Sequence, residues 1–260
     1  MRMLVLLLLF LANPLRATEV DIELALMVDV SRSMAPSELE IQRRGYAEAI
    51  ASDEVVNAIL NGFTGRIALT YVEWAGNGIN REIIPWTLVD SREIAEEIAA
   101  ELTQSQSFGQ RRTSITGAIK YAMEAIETNE FEGLRRVIDI SGDGPNNQGG
   151  PVEQARDDAV SKGFVINGLP LMTRDGYTFW SLDDLDLYYE ACVVGGPGAF
   201  VIPVRDWSEF PLAVRRKIVL ELVGPAEVLT PARSARTADG YDCLIGEKMR
   251  REWESLNDDF

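Results

Sequence analysis

Apolar residues fall in short runs between polar, glycine- or proline-marked breaks, and the runs switch between strand-like and helix-like spacing. Glu23 to Asp29 is apolar until it ends in polar residues, as a buried parallel strand does. Pro36 to Glu40 then opens a helix. Ser37 is its expected N-cap, Glu40 completes a capping box, and Leu39, Ile41, Tyr46, Ala49 and Ile50 form its buried face. Arg66 to Trp74 reads as a second strand. Gly76-Asn77-Gly78 turns the chain into Glu82 to Val89, an antiparallel partner.

Ser91 caps a helix running to about Ser105, with Ile94, Ile98 and Leu102 on one face. A polar loop from Gln104 to Arg112 precedes a helix from about Ser114 to Thr128, and Arg136 to Ser141 is a further buried strand. Helices at Val152 to Lys162, Leu182 to Cys192 and Trp207 to Leu222 alternate with strands at Phe164 to Pro170 and Ala199 to Pro203. Such alternation predicts an α/β, doubly wound, mostly parallel sheet with one antiparallel edge strand and helices on both faces. Residues 223 to 260 form an extension ending in a short helix from about Ile245 to Trp253.

The first seventeen residues depart from this pattern. Arg2, the apolar run from Leu4 to Ala12, Pro14 and a small residue at Ala17 read as a secretory signal, too short to span a bilayer as a helix. The expected compartment is therefore periplasmic or secreted. There an even cysteine pair, Cys192 and Cys243, is expected to bridge and tie the extension back. The whole chain carries a net charge of −16; removing Arg2 and Arg16, and no acid, with the signal makes it −18. That charge disfavours nucleic-acid and anionic-lipid binding. No membrane insertion is expected once the signal is gone.

Chemistry is expected where strands end at the carboxyl edge of such a sheet. Asp29-x-Ser31-x-Ser33, Thr113 and Asp143 all stand at those ends. Each has a bland reading alone: a turn and cap, a helix cap, a tight-turn residue. Together they are hard oxygen donors suited to Mg²⁺ or Mn²⁺. Catalysis is disfavoured because the chain has no histidine and no phosphate-cradling glycine loop. The acidic pairs Asp157-Asp158 and Asp183-Asp184 read as solvated faces. Most of the five tryptophans read as packing residues, with Trp180 the best candidate for a contact surface.

Val28 to Met34, Thr113 to Ile119 and Ile140 to Gly144 resemble, residue by residue, the three elements of the metal-ion-dependent adhesion site of von Willebrand factor A-type domains. The resemblance covers about residues 20 to 222, giving an A-type domain over 18–222. It implies direct cation binding by Ser31, Ser33 and, in the ligand-competent state, Thr113. Asp29 and Asp143 would act largely through water, and a partner protein's Asp or Glu carboxylate would complete the octahedron. Arg111 and Arg112 stand where many relatives have glycines, which marks them as candidate partner contacts. Tyr71 to Trp74, Ser141 to Asn147 and Tyr241 to Gly246 resemble an uncharacterised exported bacterial branch of this superfamily. Two other functions are left open by the residues: a Mg²⁺-dependent hydrolase or phosphoryl-transfer enzyme, and a structural assembly protein whose metal site is vestigial.

Overall fold

The structure is a computed structural model and describes residues 17–173, 182–224 and 240–257. Its centre is β1 (Thr18–Asp29), flanked by β2 (Ile67–Trp74) and β4 (Phe131–Gly142), both parallel to it. β5 (Phe164–Pro170) extends the sheet in parallel beyond β4, and β3 (Asn80–Val89) closes the other edge antiparallel to β2. The order is β3-β2-β1-β4-β5. This is the doubly wound, mostly parallel α/β sheet expected.

Alternation along β1 separates two cores. Ile22, Leu24, Leu26 and Val28 point to one side, where α1 (Pro36–Ile50), α2 (Asp53–Leu60), α3 (Arg92–Gln104) and α7 (Phe210–Val223) pack. Ala25 and Met27 point to the other, beneath α4 (Ile115–Thr128), α5 (Val152–Ser161) and the short α6 (Leu185–Tyr188). Cys192 and Cys243 are disulfide-bonded in this second core. The bridge fixes the start of α8 (Ile245–Asn257) to a π-helical turn, Tyr189–Val193, that follows α6.

Several boundaries differ from the expectation. β1 starts at Thr18, five residues early, because its first half alternates and so lacks a continuous apolar run. Val20 and Ile22 are buried, while the Asp21 carboxylate accepts from Thr64 N–H (2.7 Å) and Gly65 N–H (3.2 Å). Ala35, not Ser37, caps α1. Pro36 prefers the first helical position and holds Ala35 extended, and the Glu38 carboxylate accepts from Ala35 N–H at 2.6 Å. The helix expected from Trp207 begins at Phe210.

Ala199 to Pro203 is not a strand. Isolated bridges pair Gly168 with Val201 and Leu171 with Val204, and Pro203 lacks the N–H that would help make the ladder continuous.

One polar cluster lies deep under α7. Lys217 Nζ stands 2.6 Å from both Asp139 Oδ1 of β4 and Glu221 Oε1, with all three side chains at most 1% exposed. Asn167 Nδ2 donates to the same Glu221 oxygen at 3.0 Å. Burial pushes the Asp139 carboxyl up to about 7, against the pull of Lys217 in the other direction.

Candidate functional site

The loop after β1 is built around one buried carboxylate. Asp29 is fully buried, and its Oδ1 accepts from Ser31 N–H at 2.7 Å, which turns the chain so that Ser31 and Ser33 face the same way. Gln42 of α1 donates to the Asp29 carbonyl at 3.0 Å. The neighbouring loop is stitched on by Arg32 N–H to Gln110 C=O (2.7 Å) and Gln110 N–H to Val30 C=O (2.8 Å).

Asp143, just past β4, brings the two serines to a point. Ser33 Oγ lies 2.8 Å and Ser31 Oγ 3.4 Å from Asp143 Oδ1, and the two hydroxyls are 2.7 Å apart. Residues 112 positions apart in the chain thus meet because β1 and β4 are parallel neighbours whose carboxyl ends lie together. Thr113 lines the same pocket. It is held from both sides of its peptide by Asn147: Thr113 N–H donates to Asn147 Oδ1 (3.0 Å), and Asn147 N–H to the Thr113 carbonyl (2.9 Å). Ser114, the N-cap of α4, accepts from Gly117 N–H at 3.0 Å.

Asp29 Oδ2 is buried with no hydrogen-bond partner. Burial pushes the Asp29 carboxyl well above the usual carboxylate range, and the nearby Asp143 charge adds to this. A cation beside both acids would relieve the burial and the repulsion together. The donors are hydroxyl and carboxylate oxygens, so the set fits a hard divalent ion. Among the described residues no group of three or more His, Cys, Asp or Glu side chains converges. The chemistry therefore rests on two carboxylates and three hydroxyls.

Ser31, Ser33, Thr113 and Asp143 form one wall of a pocket of about 360 Å³. Arg32, Arg111 and Arg112 stand around it. Arg112 has φ 73°, the left-handed region that glycine favours, at a strain of about 1–2 kcal/mol. This is where relatives' glycines were expected, and the backbone keeps the glycine-like shape. The Arg112 guanidinium reaches Glu254 of α8 at 3.0 Å.

The far wall, Gly246, Met249 and Trp253 of α8, was missed from the sequence. The pattern that marks it is the apolar pair Met249 and Trp253, one helical turn apart beyond a bridged cysteine. Asn146 and Asn147, which brace the rim, were visible only as part of a resemblance motif. Trp180 lies outside the described residues. Trp74 is fully buried, and Trp86 and Trp207 pack against the cores, as expected of packing residues.

The sheet and its helices are similar in fold to solved von Willebrand factor A-type domains. The chain belongs to the family described as "Protein of unknown function (DUF1194)", whose model matches residues 19–226. Similar solved structures include proximal thread matrix protein 1 from the mussel byssus, at 14% identity and TM-score 0.55, over 80% of this chain and 49% of that one. The same protein has been solved with a zinc-occupied MIDAS motif. A von Willebrand factor type A protein from Catenulispora acidiphila matches at 15% identity and TM-score 0.51, over 78% of this chain and 43% of that one. The pilus adhesin SpaC from Lactobacillus rhamnosus GG matches at 10% identity and TM-score 0.57, over 80% and 32%. At these identities the likeness is one of fold, and this chain spans half or less of each of those longer chains. No curated protein matches the sequence.

Proposed function

We propose that this chain is an exported adhesion-type binding domain that captures a partner protein through a divalent cation, Mg²⁺ or Mn²⁺, at Asp29, Ser31, Ser33, Thr113 and Asp143. The observation that carries the reading is the convergence of Ser31, Ser33 and Asp143 within hydrogen-bond distance, beside a buried Asp29 oxygen that has no partner. Ser31, Ser33 and Thr113 would hold the ion directly, and Asp29 and Asp143 largely through water. With few protein charges on it, the ion stays electrophilic and accepts a partner's carboxylate. The zinc-occupied MIDAS motif of the mussel thread protein and the adhesin role in the SpaC name support this reading by likeness of fold.

Catalysis is not part of the proposal. The chain has no histidine, and Asp157 and Asp158 are exposed on α5, away from the rim. Residues 18–222 form the binding module and 223–260 its extension. Among the described residues no helix is long and apolar enough to cross a membrane. Calorimetric titration with Mn²⁺ tests the core of this reading. Binding at or below millimolar concentration by wild type, lost in Asp29→Ala and in Ser31→Ala/Ser33→Ala, is the expected outcome. Equal heats for wild type and Asp29→Ala reject it.

A further inference from the structure

The C-terminal helix changes what the rim can accept. On an open A-type rim a partner's chain could lie across the metal site in either direction. Here α8 stands on the far side, and the space left between is a pocket of about 360 Å³, near the lower end for ligand sites. That volume takes one or two residues, not a helix or a strand pair.

The wall is preformed. The Cys192–Cys243 bridge anchors the chain two residues before α8 begins. Asn146 Nδ2 donates to Glu247 Oε1 at 2.6 Å in a buried contact, and Arg112 pairs with Glu254 at 3.0 Å. Gly246 lets the helix press onto the loop after β4, since a Cβ there would lie 2.1 Å from the Asn146 carbonyl oxygen. Arg112 keeps a strained backbone at the point where its side chain reaches this helix.

The lining has two characters. Met249, Trp253 and Pro145 supply apolar surface, with Trp253 still 40% exposed. Arg32 and Arg111 are exposed at the edge, and among the described residues neither forms an ion pair. Two such arginines at one opening are out of keeping with a chain of net charge −16, and they favour an anionic ligand.

We propose that this pocket takes the free C-terminal carboxylate of a partner polypeptide whose last residue is apolar. The carboxylate faces the Ser31, Ser33 and Asp143 wall, and the last side chain lies against Met249 and Trp253. A chain end places a carboxylate and a side chain on the same carbon and stops there, which suits a pocket closed by α8. An internal Asp or Glu would have to carry the chain past that helix in both directions. This inference rests on the proposed cation site, which the carboxylate would complete.

The test uses the mature chain with Mn²⁺ and four acetylated tetrapeptides: one ending in Phe as the free acid, its C-terminal amide, one ending in Gly as the free acid, and an amidated one with an internal Asp. Calorimetry should show the Phe acid binding at least about tenfold more tightly than the amide or the Gly acid. Trp253→Ala and Met249→Ala should each remove most of the Phe-over-Gly preference while Mn²⁺ uptake stays the same. Arg111→Ala should weaken both acids by about two- to fivefold, more at low salt. An amidated peptide with an internal Asp that binds as well as the Phe acid overturns the chain-end assignment. So does a Phe acid that binds no better than its amide. If Mn²⁺ binds and the peptides are not distinguished, this inference falls alone. If Mn²⁺ does not bind, the cation reading falls and takes this one with it.

Discussion

Replacing Lys217 by Met keeps the shape of a buried side chain and removes its charge, leaving Asp139 and Glu221 sharing a dry site. Each acid must then be neutral in the folded protein. Holding a glutamic acid protonated at pH 7.5 costs about 1.4 kcal/mol for each of about three pH units above its unfolded pKa, or about 4 kcal/mol. Asp139 adds little, because burial has already pushed it up to about 7 in the wild type. The total agrees with the ~3–5 kcal/mol typical of breaking a buried pair. At pH 5 the same protonation costs only about 1 kcal/mol, so most of the damage should vanish. Urea denaturation of Lys217→Met at pH 7.5 and 5.0 measures both figures. Lys217→Met/Glu221→Gln should recover most of the loss at pH 7.5, since the remaining acid is the one that already protonates near neutrality. Equal destabilisation at the two pH values would refute the charge argument. So would a loss below about 1 kcal/mol at pH 7.5.

Asp139 alone gives a second pH signature. The folded chain holds its proton more tightly than the unfolded one, so this stabilisation is full below about pH 4 and fades as pH rises through about 7. Asp139→Asn should flatten that decline, read from thermal midpoints across the range. Gly142→Ala would put a Cβ 2.9 Å from the Tyr189 hydroxyl and 3.0 Å from Asp29 Oδ2. It should cost about 1–3 kcal/mol and weaken Mn²⁺ binding, seen by calorimetry, because the atom intrudes beneath the rim. Cys192→Ser/Cys243→Ser should lower stability by about 2–4 kcal/mol for a bridge spanning 51 residues. Limited proteolysis should then cut within α8 faster than in wild type.

The sheet was legible because a buried parallel strand must be largely apolar, and β5, Phe164–Pro170, shows this with Asn167 as its one polar side chain. The outer half of β1 was not, because Glu19 and Asp21 alternate with Val20 and Ile22. The structure buries Glu23 by giving it Gly133 N–H and Asn129 Nδ2 as donors, both at 2.8 Å. Local pattern cannot announce a bond to a residue more than a hundred positions away. Lys217 was hidden for the same reason: a lysine in a helix reads as solvated until Asp139 of β4 is placed beneath it.

The rim divides along the same line. Asp29, Ser31, Ser33 and Asp143 stand at or just past the ends of β1 and β4, neighbours in the sheet, and Thr113 directly precedes the N-cap of α4, so spacing and residue type sufficed to nominate them. The far wall depends on a helix held by one disulfide, two side-chain clasps and one close backbone approach. None of these has a periodic signature. Arg112 joins the two cases. Its departure from glycine was visible, yet the reason is not, until φ 73° and the Glu254 contact are seen together. A residue that accepts left-handed strain where glycine would be free must be kept for its side chain, and that side chain ends on α8. Arg112→Gly should therefore relax the backbone while loosening the helix. Stability should change little, yet discrimination between peptide ends should fall, and no change in that discrimination would separate the clasp from the pocket.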